Sequence, residues 1–475
     1  MAAGGRLREL TSALWRRGIG HLVARTAGYN LASAAAAGLG GIIVARALGP
    51  ELRGEYAAVT AWFGVTLMLG GMGQPAALCF HVARYPGQAR AYVATSRAMM
   101  LVTGTAVLAG GILLAPLLAH GKPGLVVAYR IAFATSILAF VGASYTFSLQ
   151  ARHLRWWNSV RVSQPVLSLV LLSAACWLRL LTLTTALIVL TGTMLIQLCW
   201  AYGRCRSAGL APGRAQARLV RPLAGYGLSQ IVALAPATVN AKLDQLVLSQ
   251  VVRPAVLAQY AIAVSAAMLP IPLASAIGNV AFPRLAARSR VDGLARRAQW
   301  LGIVGSGFVA AAMLVPLDLV APWLIPFAFG RGYAGVVPLL WVLTPAGVFL
   351  ACNQVAGDVL RGRNHPLLVA RAEGLAAVFT VALLMALLPV VGVYGAAIAS
   401  AVAYGVSLLM MLMSLLRLPA GSSGPRHRRG SGGRPPRWPR RGSGGRSPRW
   451  HRRRPGREHR AARHRAGGHR SAEAR

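Results

Sequence analysis

Gly49-Pro50-Glu51-Leu52-Arg53-Gly54-Glu55-Tyr56 lies between two long apolar runs, near 27–48 and 56–80. A Gly-Pro pair does not continue a helix. Proline lacks an N–H, and its ring disfavours helical geometry at the residue before it. The stretch therefore reads as a tight hairpin tip joining two apolar helices. It has an echo 204 residues on, Arg253-Pro254-Ala255-Val256-Leu257-Ala258-Gln259-Tyr260, again between apolar runs. Pro50 pairs with Pro254, Leu52 with Val256, Gly54 with Ala258, Glu55 with Gln259, Tyr56 with Tyr260 and Ala57 with Ala261. Six matches in one register point to a duplicated half.

The surroundings of both hairpins are apolar along the whole chain. Of 475 residues, 55% are hydrophobic and only 13% charged, against about 25% charged in a soluble protein. Mean hydropathy is +0.53. The bilayer is the natural solvent for such a chain. The net charge of +41 resembles a nucleic-acid signal, but its placement argues otherwise, because 19 of the 51 Lys and Arg fall in 417–475. The rest lie mostly in short loops between apolar runs, where positive charge reports membrane orientation. No nucleic-acid partner is expected. The basic N-terminus is followed by no small-residue cleavage site before the next helix, so the first helix is expected to stay in the mature protein.

A spanning helix takes about 20 mostly apolar residues. Twelve candidates lie near 27–48, 56–80, 93–118, 125–149, 159–178, 183–203, 222–250, 256–281, 300–323, 334–358, 366–388 and 393–416. With the N-terminus inside, the inner segments before the tail hold 24 Lys and Arg, and the outer ones seven. That bias places both termini in the cytoplasm and favours an even number of spans. An offset of 204 residues carries helix 1 onto helix 7, six helices on, so both halves run in the same direction. The expected fold is an all-α integral membrane protein with about 12 transmembrane helices. They form two six-helix bundles related by a parallel repeat.

The expected divisions are a basic cytoplasmic segment 1–25, an N-terminal bundle 26–203, a cytoplasmic linker 204–221, a C-terminal bundle 222–417 and a tail 418–475. In the lead-in, Leu10, Leu14, Trp15 and Leu22 are candidates for the membrane surface. The Arg/Gly/Pro-rich tail has too few aliphatic residues to build a core and reads as disordered. Its charge suits anionic lipid. Pro75, Pro165, Pro236, Pro270, Pro272 and Pro345 fall inside apolar helices and permit kinks. Runs such as Gly70-Gly71-Met72-Gly73 suit close helix packing.

Catalytic patterns are lacking in the sequence: there is no GxSxG, no GxxxxGK[ST] and no HExxH. Cys79, Cys176, Cys199, Cys205 and Cys352 are scattered through apolar runs without CxxC spacing and read as small core residues. No enzyme activity, metal or other cofactor is implied. Chemistry then rests on polar residues inside spans, which are costly and usually face a bundle interior or a water cavity. Helix 7 is richest, with Gln230, Asn240, Lys242, Asp244 and Gln245. Asn240 and Asp244 are four apart and share a face, whereas Lys242 lies about 200° around from either.

Two readings stand for this helix. Its charges find partners on neighbouring helices and fix packing, or Lys242 draws an anionic headgroup while Asp244 carries a coupling proton or ion. Arg46, Asn30, Gln74 and Asn279 are further candidates for a substrate cleft, although Arg46 equally fits an interfacial snorkelling role. Asp358 is a second ion-coupling candidate, and it also stands three residues from Arg361 in a local pair.

Several of these stretches resemble a known group. Leu48 to Ala57 resembles the first-loop signature of polysaccharide biosynthesis flippases, the Wzx-like branch of the multidrug/oligosaccharidyl-lipid/polysaccharide exporter superfamily. Asn240-Ala-Lys-Leu-Asp244-Gln-Leu-Val-Leu resembles that group's helix-7 pattern, with lysine where arginine is more usual. Phe282-Pro283-Arg284-Leu285-Ala286 resembles its helix-8 exit. Phe329-Gly330-Arg331-Gly332-Tyr333-Ala334, with Pro338-Leu339-Leu340, resembles the approach to helix 10.

The resemblance implies a transporter in the cell membrane that flips an isoprenoid-linked oligosaccharide from the inner to the outer leaflet. Its partners would be a lipid-linked glycan, membrane lipid, and glycosyltransferases and a polymerase of the same pathway. A drug or metabolite antiporter on the same fold is the main alternative. A membrane glycan-assembly enzyme would want larger outer loops, and a scaffold for such enzymes is a further reading. Peptidoglycan-precursor flippases resemble a longer chain with a more arginine-rich cavity.

Overall fold

Gly49 breaks the first helix where the Gly-Pro pair calls for a break. In the computed structural model, α1 covers Ala2–Gly70, and Gly49 at φ 71°, ψ 174° divides it into two arms. The side-chain partners of the arms show that they fold back on each other. Thr26 and Asn30 meet Asn158 and Arg161 at the start of α5, at 3.0 and 3.3 Å. Glu55 meets Lys122, before α4, at 3.2 Å. Gly70 lies against Phe140 further along α4.

The structure describes residues 2–275, 293–363 and 365–418, all within one compact unit. Side chains are described from Arg25 onward, apart from Ala27, 232–239, Ala241, 293–296 and Ala298. The lead-in side chains, the Pro236 ring, Asn279, the 282–286 stretch and the tail from 419 therefore lie outside the described residues.

After α1 come α2 (Gln74–Arg84), α3 (Ala89–Leu118), α4 (Pro123–Arg152), α5 (Leu154–Trp177) and α6 (Leu183–Ser207). Then follow α7 (Val220–Val251), α8 (Pro254–Ala267), α9 (Gly293–Phe329), α10 (Val336–Gly362), α11 (Pro366–Val391) and α12 (Val393–Arg417). Among the described residues, 10 helical stretches are long and apolar enough to cross a membrane. The first, Gly28–Gly70, is 43 residues long and contains the Gly49 break. Large apolar side chains stay exposed on these helices, including Leu113, Trp177, Phe308, Phe327, Met385 and Val390. So much bare apolar surface suits lipid, not water. The protein is an all-helical, multi-pass membrane protein.

Two sequence boundaries need correction. The apolar run 56–80 is not one helix. Its second arm stops at Gly70, a turn covers 71–73, and α2 restarts at Gln74. Met72 and Gly73 have φ of 45° and 62°, a left-handed turn that glycine permits at little cost. A Cβ on Gly73 would overlap the Gly227 carbonyl of α7, so the break also allows two backbones to touch. Pro75 accordingly sits in the first turn of α2 rather than inside a helix. The run 256–281 is likewise cut. α8 ends at Ala267, and Pro270 follows in the turn because it cannot extend the helix. Pro165 and Pro345 do lie within α5 and α10.

α3 to α6 pack chiefly on one another and on α1, as do α8 to α12 among themselves. α1, α2 and α7 carry most contacts between the two sets. One core cluster joins Tyr260, Leu339, Leu340 and Ala397 within the second set, with Ala45, Ala57 and Ala58 of α1 reaching into it. Two aromatic contacts add to the joint between α2 and α7: Phe80 stacks on Tyr226 at 4.6 Å, and His81 meets the same ring edge-on.

Candidate functional site

The two hairpins of the repeat meet. A Cβ on Gly54 would overlap the Pro254 carbonyl, so a glycine in the first copy lets it press against the second. Around that contact, Arg253 pairs with Glu51 at 3.3 Å, and the Trp62 indole donates to Ser249 at 3.2 Å. The connection between α9 and α10 closes on the same place. Arg46 donates to the Phe327 carbonyl at 2.8 Å, and Tyr333 donates to the Ala45 carbonyl at 2.8 Å. Burial pushes the Tyr333 hydroxyl up to about 12, so it remains a neutral donor at ordinary pH. Any cleft between the sets is sealed at the hairpin tips in this conformation.

α7 carries the densest buried polar groups. Asp244 is 5% exposed and accepts hydrogen bonds from the Tyr260 hydroxyl of α8, from Ser400 of α12 at 3.3 Å, and from its neighbour's backbone N–H. Asn240, one turn earlier, accepts from Thr380 of α11 at 2.6 Å, while its amide nitrogen has no partner. The shared face read from the i, i+4 spacing thus points at α8, α11 and α12. Lys242 faces elsewhere, and its ammonium donates to Gln245 on its own helix at 3.4 Å. The space beside Asp244, next to Ser400 and Tyr404, is about 10 Å³, at the lower limit for one water.

The polar seam continues along the second set. Glu373 of α11 accepts from Ser407 of α12 at 3.1 Å, and both are buried. Asn353 of α10 donates to the Tyr404 carbonyl at 2.9 Å. Asp358 pairs with Arg361 at 2.9 Å, the local pair that the spacing of three suggests, and takes a longer bond from Gln354 at 3.4 Å.

The remaining sequence candidates do not join this seam. Arg46 is at the hairpin tips. Asn30 accepts from Arg161, whose guanidinium lies 4.4 Å from the Trp157 ring. Gln74 is buried in the first turn of α2 and accepts from Ser96 of α3 at 3.3 Å, with its amide nitrogen unpaired. Asn240 and Asp244 are therefore brought together with each other, and the other candidates stand on separate partners. Sequence reading passed over Tyr260, Thr380 and Ser400. Tyr260 had a signal as the echo of Tyr56. Lone hydroxyls in apolar helices gave none.

A family model described as polysaccharide biosynthesis protein matches residues 23–288. The chain belongs to this family. Among solved structures, the lipid II flippase MurJ in an inward closed conformation superposes with a TM-score of 0.69 at 12% identity, over 82% of this chain and 88% of that one. An inward-facing multidrug resistance MATE family transporter of the MOP superfamily gives 0.66 at 16%, over 82% and 94%. The eukaryotic MATE transporter AtDTX14 gives 0.62 at 15%, over 85% and 96%. No curated protein matches the sequence. This member of the polysaccharide biosynthesis family thus has the fold of MOP-superfamily transporters.

Proposed function

We propose that the protein flips an isoprenoid-linked oligosaccharide from the inner to the outer leaflet for cell-surface polysaccharide synthesis. Twelve crossings serve this: the ten apolar stretches, with Gly28–Gly70 counted as two, and α7, whose 32 residues give about 48 Å at ~1.5 Å per residue. The basic loops lie on the cytoplasmic side with both termini, and the hairpin tips face outward. Two six-helix bundles rock against each other. The tip seal opens as the opposite end closes.

The observation that carries this reading is the buried Asp244 carboxylate, held by Tyr260 and Ser400 within a chain of the polysaccharide biosynthesis family. A carboxylate inside a span is expensive unless it works or is fully paired. The narrow space beside it suits a proton better than a hydrated ion. Lys242, off that face, supplies the positive charge for a diphosphate headgroup whose own burial would otherwise be prohibitive. Asp358, paired with Arg361, is the second ion-coupling candidate. Glycosyltransferases and a polymerase would act before and after the flip.

The test is reconstitution in proteoliposomes with a radiolabelled lipid-linked glycan under an imposed pH gradient. Gradient-driven translocation is expected. Lys242→Ala should slow it by about tenfold, the weight of one charge-assisted contact, at unchanged protein level. If the glycan stays put while small cations exchange for protons, the antiporter reading, favoured by the MATE-like fold, takes its place.

A further inference from the structure

We propose that a cavity behind the hairpin tips binds a single neutral sugar ring. The cavity is about 250 Å³, just under the roughly 300–1,000 Å³ of sites that hold drug-sized ligands. That is small for an oligosaccharide and suited to one ring. Three remote segments build it. Glu55 comes from the second arm of α1, His120, Lys122 and Tyr129 from the α3–α4 connection and α4, and Ser249 and Gln250 from the end of α7.

The strongest sign of a binding site is Tyr129. Its side chain is 1% exposed and lines the cavity, yet its hydroxyl has no hydrogen-bond partner. A buried hydroxyl left unpaired is costly, and such groups in native structures call for an explanation. A ligand hydroxyl is the simplest partner.

The lining also selects the chemistry. Glu55 and Lys122 pair with each other at 3.2 Å, so the wall offers a carboxylate acceptor and an ammonium donor without net charge. Gln250 donates to Ser249 at 3.1 Å, adding neutral polar groups within reach. The remaining wall is largely aliphatic, with Leu125 and Leu257 on opposite sides of the joint. Donors and acceptors interleaved with aliphatic groups match a ring that carries both hydroxyls and C–H groups. A phosphate or a metal ion would want an excess of one charge, which the Glu55–Lys122 pair cancels.

The site has a mechanical consequence. Its polar groups belong to both helix sets, so an occupant bridges them and holds the tips shut. The sugar has two sources, a free monosaccharide or one residue of a lipid-linked glycan. Only the second source rests on the transport reading above.

The experiment is saturation-transfer NMR on the purified full-length protein in detergent, with glucose, galactose and N-acetylglucosamine as free probes. At least one should bind, and Tyr129→Phe and Gln250→Ala should each weaken it by about tenfold. Glu51→Gln, at the exposed tip outside the lining, should leave binding unchanged. A thermal melt of each variant separates lost binding from lost folding, and Tyr129→Phe keeps the ring and its packing. The proposal is overturned if no probe binds at millimolar concentration, or if both cavity variants bind as the parent does. Competition with a lipid-linked glycan then assigns the source. Displacement of the bound sugar identifies a glycan residue, and its absence identifies a free sugar; either outcome requires an occupied cavity. Sugar binding that persists in protein unable to flip the glycan would end the flippase reading and leave this one standing.

Discussion

The first helical hairpin, 27–70, and its counterpart 204 residues on, 231–274, share a tip sequence but not a chemistry. In the 204-residue register, Asn240, Lys242 and Asp244 of α7 stand where α1 has Ala36, Gly38 and Gly40. Gly40 lies at ordinary contact distance from Leu172, and Gly38 has nothing within reach of a Cβ. The whole first set follows this pattern. Between residues 26 and 207 the only acids are Glu51 and Glu55, both beside the hairpin tip. Its fully buried side-chain pairs are neutral, as in Gln74 with Ser96 and Ser148 with Cys205. The second set buries Asp244 and Glu373 and holds Asp318 and Asp358 besides. The tip sequence is shared, and among the described residues the buried acids lie in the second set.

The sharpest way to break this contrast is to remove the charge from the second copy. Asp244→Asn keeps the side-chain shape and can still accept from Tyr260 and Ser400. It should abolish gradient-driven transport, a loss of about a hundredfold or more, because its protonation no longer changes. Gly40→Asp in that variant should not restore activity, since Tyr56, the counterpart of Tyr260, would receive the carboxylate without the second donor that Ser400 supplies to Asp244. Transport by Asp244→Asn at the parent rate would show that the asymmetry is structural only.

The next test turns on the residue where the two hairpins touch. Gly54 and Ala258 are equivalents, and Gly54 faces the Pro254 backbone carbonyl of the other hairpin. Gly54→Val has no room beside Pro254 and should cost the sealed arrangement about 1–3 kcal/mol, the usual scale of overpacking. The readout is disulfide formation between Cys placed at Glu51 and Arg253, in a background without the five native cysteines, which are all free. The parent should cross-link readily and lose transport when locked. Gly54→Val should cross-link several times more slowly. An equal rate in both would mean that the tips do not depend on this close approach.

The architecture was legible from the chain because it is written in local terms: Gly-Pro turns, run lengths and loop charges. The Gly71–Gly73 break escaped because an apolar run with glycines scans as one helix, and the cause lies 150 residues away at Gly227. The pairing of Asn240 with Asp244 followed from helical spacing. Their partners Thr380, Tyr260 and Ser400 did not, since which helices face α7 is a tertiary fact. The tip cavity was illegible for the same reason. Glu55, Tyr129 and Gln250 belong to three segments with no shared pattern.

A smaller effect concerns how the first copy is tied down. Tyr333 donates to the Ala45 carbonyl, a bond for which α7, the counterpart of this arm, has no equivalent among the described contacts. Tyr333→Phe should lower stability by about 0.5–1.5 kcal/mol, one neutral hydrogen bond, measured by denaturant unfolding in mixed micelles. The sign of its pH dependence follows from the raised value. The folded hydroxyl titrates near about 12 against 10 in the free residue. Its contribution should therefore be constant below pH 10 and fall away between 10 and about 12. Tyr333→Phe should flatten that fall, and a parallel decline in both proteins would assign it to other groups.

The smallest effect is at the outermost contact. Arg253 and Glu51 form the ion pair that joins the two tips, yet their side chains are 84% and 54% exposed. Water screens such a pair, and fixing two long side chains costs entropy, so it is worth about 0–1 kcal/mol. Glu51→Gln should shift the melting temperature little, and less still at high salt, where the Debye length falls to about 3 Å at 1 M. The backbone contact of Gly54 with Pro254 predicts the opposite behaviour, a seal that salt does not loosen. Thermal melts of Gly54→Val and Glu51→Gln in low and high salt separate the two. A seal that opens with salt would move its origin from close packing to charge. The glycine in the first copy would then be a consequence of the tip geometry and not its cause.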